Sequence, residues 1–111
     1  MSSHQDKVLS ALGLAMRAGK LSLGTEMVQD SVRNGKSHLV VCAGDISDGS
    51  RKKLTNTCSY YNVELIEHSE MSSLASALGK KKPISSVSVN DLNFKILIKK
   101  QFAPTVKTEN D

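Results

Sequence analysis

The residues that could do covalent chemistry in this chain stand in patterns that each fail on their spacing. Gly35-Lys36-Ser37 ends like a phosphate-binding loop, but that loop needs a glycine five residues before Gly35, where Asp30 stands. A carboxylate there repels the phosphate that the backbone must cradle. Gly19-Lys20-Leu21 fails as well, because residue 14 is Leu and no hydroxyl follows the lysine. There is no G-x-G-x-x-G run. His38 and Cys42 are four apart in an extended run, so their side chains share one face, yet a metal needs a second ligand pair and none accompanies them. Helix–strand packing for His38 and core filling for Cys42 are the simpler roles. His4 and His68 are isolated. Asp45 and Asp48 flank a turn, where carboxylates shape the turn and cap a helix. These residues predict a protein that is not an enzyme and holds no metal.

What remains suits a polyanion. Ser22-Leu23-Gly24-Thr25-Glu26 places a glycine at a strand-to-helix junction. The free N–H groups of a helix N-terminus can donate to a phosphate or a base edge. Leu78-Gly79-Lys80-Lys81-Lys82-Pro83-Ile84 concentrates three positive charges in a short loop. There Pro83 stiffens the exit and Ile84 offers an apolar surface to an unstacked base. Arg17, Lys20, Arg33 and Lys36 surround the first two helices; if the sheet sets Gly24 beside the lysine loop, all of these flank one positive surface. Tyr60-Tyr61 at a helix end can stack on bases. In a chain with so few large side chains, anchoring that helix to the sheet is the expected role.

The elements that must position these residues follow from periodicity. Val8, Leu9, Leu12, Ala15 and Met16 form a helical stripe over 7–18, with Asp6 as N-cap and Gly19 as stop. Leu21-Ser22-Leu23 is a short strand, and a second helix opens at Gly24-Thr25. Ser37–Ala43 reads as a buried strand, and Asp48 or Ser50 caps a third helix to about Tyr61. A strand over 63–67 precedes a helix over 70–78 capped by Ser69. A strand over 84–89 then precedes a last helix over 91–102 capped by Asn90. Strands alternating with helices predict an α/β fold, a three-layer α-β-α sandwich whose mixed sheet of about four strands is covered on both faces. Residues 1–102 form one domain in this reading, and 103–111 a flexible tail.

Composition agrees. The chain has 111 residues, 39% hydrophobic and only 4% aromatic without Trp, which demands an aliphatic core. A net charge of +4 permits a polyanionic partner. The apolar runs are too short to cross a bilayer, and no secretory signal is visible. Two cysteines make no disulfide framework. A cytoplasmic location without membrane contact is expected.

Taken in order, several segments resemble the kink-turn RNA-binding ribosomal protein superfamily of the L-seven-Ae type, and most its bacterial YlxQ-like branch. They are Leu12-Gly-Leu-Ala-Met-Arg-Ala-Gly-Lys20, Gly24-Thr-Glu26, Asn34 to Asp45, Lys52-Lys-Leu54, Cys58 to Val63, Ala77-Leu-Gly-Lys80 and the strand Ile84–Val89. The resemblance spans about residues 6 to 100 and rests on the ordered series. It implies an α-β-α sandwich that binds structured RNA, kink-turn or ribosomal, as a monomer without cofactor, catalysis or small-molecule substrate. In such proteins the second helix's N-terminus enters the widened groove of a kinked stem, and the loop before the last strand closes over the bulged nucleotide. The resemblance carries over Gly24 and Thr25 at the helix end and Lys82, Pro83 and Ile84 in the loop. With the charge pattern added, the expected RNA-binding residues also include Glu26 at the helix end, Lys20 and Arg33 on the backbone, and Lys80 and Lys81 in the loop. This chain departs from the family in having Glu26-Met27 where Asn-Glu is typical, and Asp30 where a lysine is typical. Each lost base contact is worth on the order of 1–3 kcal/mol of discrimination. These departures motivate an alternative, a protein-interaction module on ribosomes or RNA enzymes that has lost kink-turn specificity. A substrate-binding domain serving a separate RNA methylase is a third reading.

Overall fold

The computed structural model describes residues 6–102. The tail expected over 103–111 and His4 lie outside them. Helix α1 (Lys7–Arg17) begins where the Asp6 carboxylate accepts the Leu9 N–H at 3.0 Å. Strand β1 (Leu21–Leu23) leads into α2 (Thr25–Arg33), and β2 (Leu39–Cys42) into α3 (Asp48–Tyr60). Then follow β3 (Leu65–Glu67), α4 (Met71–Ala77), β4 (Ser86–Val89) and α5 (Leu92–Phe102). Every expected element is present, with the strands after residues 37, 63 and 84 starting two residues later than their apolar runs.

Three caps differ from expectation. Ser47, not Asp48 or Ser50, caps α3 by accepting the Ser50 N–H at 3.1 Å. Ser69 sits at φ 63, outside the extended conformation an N-cap takes. The Met71 N–H donates instead to Asp45 Oδ1, from the loop after β2, at 2.8 Å. Asp91, not Asn90, caps α5 by accepting the Phe94 N–H at 3.0 Å, because the Asn90 amide is held elsewhere.

The sheet order is β1-β4-β2-β3, with β4 antiparallel to both neighbours and β2 parallel to β3. Cross-strand partners share a face, so the register sorts side chains into two sets. Leu21, Leu23, Val87, Val89, Leu39 and Val41 face one layer, α1, α4 and α5. Ser22, Ser86, Ser88, Val40 and Cys42 face the other, α2 and α3. The α1 and α4 backbones approach closely at Gly13, where a Cβ would meet the Ala77 carbonyl at 3.1 Å. The core between the layers is aliphatic, centred on Leu12, Leu39, Leu54, Leu74 and Ile98.

The Ser-rich face is an exception to that aliphatic interior. Ser86 and Ser88 are fully buried beneath α2. Ser22 Oγ meets Ser31 Oγ of α2 at 2.7 Å, and Asn90 Nδ2 donates to Ser22 Oγ at 2.9 Å. Ser88 Oγ donates to Asn90 Oδ1 at 2.6 Å, completing the chain. Buried hydroxyls satisfied in this way fix α2 against the sheet directionally, which apolar packing alone does not.

Candidate nucleic-acid interface

Gly24 joins β1 to α2 at φ 89 and ψ 155, a conformation that only glycine adopts without strain. Its N–H donates to the Ser86 carbonyl at 2.9 Å. Next to it, Thr25 Oγ1 lies 2.9 Å from Ser85 Oγ. The junction is thereby tied to the segment that leaves the lysine loop. Gly24 carries no side chain to cap α2, so the first-turn amides keep no side-chain acceptor of their own.

The loop that delivers Ser85 is pinned at both ends. Gly79 turns at φ 71, and the Lys80 N–H donates to the Ala75 carbonyl at 2.8 Å. The Ile84 N–H reaches the Met71 carbonyl at 3.2 Å, while the half-buried Ile84 side chain packs on the core. Between these anchors Lys80, Lys81, Lys82 and Pro83 are exposed. Among the described residues no carboxylate forms an ion pair with the three lysines. Their charge is uncompensated, and it leads back toward the uncapped end of α2.

Thus the structure brings Gly24, Thr25, Glu26 and the Lys80–Ile84 loop to one end of the sheet. It does not bring Lys20 or Arg33 there. Lys20 precedes β1 at the opposite end, where its carbonyl accepts the Asn90 N–H and its ammonium lies 4.0 Å from Asp91. Arg33 closes the far end of α2, paired with Asp30 at 3.4 Å. Arg17 and Lys36 lie at that far end too, so the four basic residues do not flank the loop. Asp30 leans on Arg33 rather than standing alone, which reduces its repulsion toward an anion at the helix start. Glu26 is exposed within the first turn, so a carboxylate stands beside the free amides.

Sequence reasoning missed Ser85, Ser86 and Ser88, and missed that Ser22, Ser31 and Asn90 join them in positioning the junction. Their signal was the period-2 alternation Ser86-Val87-Ser88-Val89, which ordinarily sends the polar set to solvent. Here α2 covers that face.

The other candidates carry no reactive geometry. Burial pushes the Cys42 thiol up, with the Glu67 carboxylate adding to this and Arg51 opposing it. Burial, with Cys42 nearby, pushes the Cys58 thiol up to about 11. Neither sulfur is a ready thiolate at neutral pH. Asp45 is engaged with Met71, and His68 Nε2 lies 2.9 Å from Asp6 Oδ2. Among the described residues no three His, Cys, Asp or Glu side chains gather as a metal site, and no helix is long and apolar enough to cross a membrane.

Fold and site together define a small α/β scaffold that presents backbone amides and lysines at one end of a mixed sheet. Residues 6–98 match the Ribosomal protein L7Ae/L30e/S12e/Gadd45 family, and the chain belongs to it. It is 33% identical over 84 residues to the RNA-binding protein YlxQ of Enterococcus faecium, covering 76% of this chain and 82% of that one. It is 35% identical over 83 residues to the protein of the same name from Bacillus subtilis (strain 168), covering 75% and 82%. Among solved structures, a Bacillus halodurans C protein of unknown function superposes with a TM-score of 0.82 at 32% identity, over 87% of this chain and 97% of that chain. The Giardia lamblia 15.5kD RNA binding protein shares the fold, with a TM-score of 0.73 at 17% identity over 86% and 81%.

Proposed function

We propose that this protein is a non-enzymatic RNA-binding protein that grips structured RNA, including kink-turn and ribosomal RNA, in the cytoplasm as a monomer. Residues up to 102 form its RNA-binding domain. Gly24, Thr25 and Glu26 place the helix end in the groove, and Lys80, Lys81 and Lys82 hold the backbone beside it, with Pro83 and Ile84 shaping the loop. Lys20 and Arg33, at the far end, meet only the backbone of an RNA long enough to reach them. One observation carries the reading: the bonds from Gly24 to Ser86 and from Thr25 to Ser85 join the uncapped helix to the lysine loop. The names of the relatives support it.

A gel-shift titration of a kink-turn stem against a plain duplex of equal length tests the proposal. Tighter binding of the kinked stem is the expected result. Equal, weak binding of both removes kink-turn recognition and favours a protein-interaction module. No binding of either removes the RNA reading.

A further inference from the structure

The two tyrosines do not anchor α3 to the sheet. Tyr60 is 81% exposed and Tyr61 43%, in the last turn and C-cap of that helix. Their rings meet edge to face with centroids 4.8 Å apart and planes at 74°. One ring thus braces the other while most of Tyr60 stays open to solvent. An aromatic ring so exposed gains nothing from burial in the fold itself.

Its surroundings indicate what it suits. Gln29 Nε2 donates to Thr57 Oγ1 at 2.9 Å, which sets α2 against α3. Both helices start at the Gly24 end of the sheet, so one turn beyond this bond come Arg33, on the face of α2 that carries Gln29, and Tyr61, at the end of the face of α3 that carries Thr57. Arg33 also pairs with Asp30 at 3.4 Å. Lys36 follows Arg33 and forms no ion pair among those of the described residues. The chain neighbours Ser59 and Asn62 are polar and exposed. The other exposed large apolar residues, Leu14, Met27, Leu92 and Ile96, lie on other helices. A protein interface is built around a contiguous apolar centre depleted of charge. An open ring among hydroxyl, amide and cationic groups matches an unpaired nucleotide instead, with its base on the ring and its phosphate near the cations.

We propose that Tyr60 stacks on an unpaired base, with Tyr61 bracing it and Arg33 and Lys36 meeting the adjoining phosphates, as a second, single-stranded RNA contact. The inference rests on the RNA-binding reading but uses the other end of the same layer. α2 has nine residues, so the two contacts are roughly 13 Å apart along its axis. A strand leaving the Gly24 end covers that distance in a few nucleotides.

The chain has two tyrosines and no tryptophan, so its intrinsic ultraviolet emission reports on this pair alone. The experiment titrates the protein with a short oligoadenylate, following tyrosine emission together with the anisotropy of an end-labelled copy. A kink-turn stem without overhangs is titrated in parallel. Expected results are quenching on oligoadenylate binding, a loss of roughly tenfold in affinity in Tyr60→Ala, near wild-type affinity in Tyr60→Phe, and unchanged stem binding in both variants. Oligoadenylate binding without quenching, or equal affinity in wild type and Tyr60→Ala, overturns the inference and leaves the ring to a protein partner. Failure to bind the stem overturns the interface at Gly24 and the lysine loop, and does so independently.

Discussion

Replacing Lys80, Lys81 and Lys82 together by Ala removes three charges from one place without touching what holds the loop. The loop is kept by the backbone bond from Lys80 to Ala75, the bond from Ile84 to Met71 and the packing of Ile84 on the core. None of these uses a lysine side chain, so folding stability is expected to change by less than about 0.5 kcal/mol. RNA binding is expected to respond strongly. Each phosphate contact contributes roughly 0.7–0.9 to the slope of log affinity against log salt. The three lysines can make up to three such contacts, so the slope is expected to fall by roughly 0.7 to 2.7. Loss of two contacts corresponds to roughly tenfold less weakening between about 50 and 200 mM salt. Fluorescence anisotropy with a labelled kink-turn stem, repeated across that salt range, measures the slope, and urea unfolding confirms the fold. An unchanged slope in a folded variant refutes the placement of RNA on this loop.

Four further outcomes follow from the geometry. Gly24→Ala meets no atom within 4 Å, so its cost of about 1–3 kcal/mol is purely conformational; an unchanged urea midpoint would mean the junction is not held at φ 89. Asn90→Ala strips partners from Ser22 and Ser88 and is expected to cost about 1–3 kcal/mol at an unchanged urea m-value, a result that a shift below 0.5 kcal/mol contradicts. Asp6→Ala removes the α1 cap, at about 1 kcal/mol near neutral pH. Burial pushes the Asp6 carboxyl up, but the Leu9 N–H and His68 together outweigh this and hold it below 3.8. Its contribution is therefore full above that value and is lost as pH falls through the lower folded-state value, so wild type and Asp6→Ala should converge in acid-titrated thermal melts. Finally, Cys42 and Cys58 are buried with raised thiol pKa values, so a thiol reagent at mildly alkaline pH should label them only at the rate of unfolding; rapid labelling of the folded protein contradicts their placement.

Much of this architecture was legible in the sequence because apolar periodicity is a local signal. The stripe on α1 and the β-branched run of β2 needed no tertiary knowledge, and Asp6 declared its cap by position. Where several capping residues stood side by side, as Ser47, Asp48 and Ser50 do, local preference did not separate them. Ser69 and Asn90 were misread because Asp45 reaches across the sheet end in one case, and Ser22 and Ser88 claim the amide in the other. The tyrosines were misread for a different reason: scarcity of aromatics suggested burial, but among the described residues the fully buried core takes no aromatic ring, and Phe94 and Phe102 pack at its margin. At the candidate interface the residue types were legible, yet their grouping was not. Only the pairing of β1 with β4 reveals that Gly24 and the lysine loop share an end, and that Lys20 and Arg33 stand at the other.

That pairing also sets an order of events during synthesis. β4 comes last among the strands but lies between β1 and β2, and the contact from Thr25 to Ser85 closes 60 residues of chain. Such non-local closure is slow and repays its entropy only when complete. As the chain is made, β1 and β2 wait without the strand that joins them, and the Gly24 turn has no carbonyl to hold it. A fragment ending before Ser85 would already contain Gly24, Thr25 and all three lysines, yet would hold none of them in register. The interface is thus assembled late, by a strand that itself carries none of its charge.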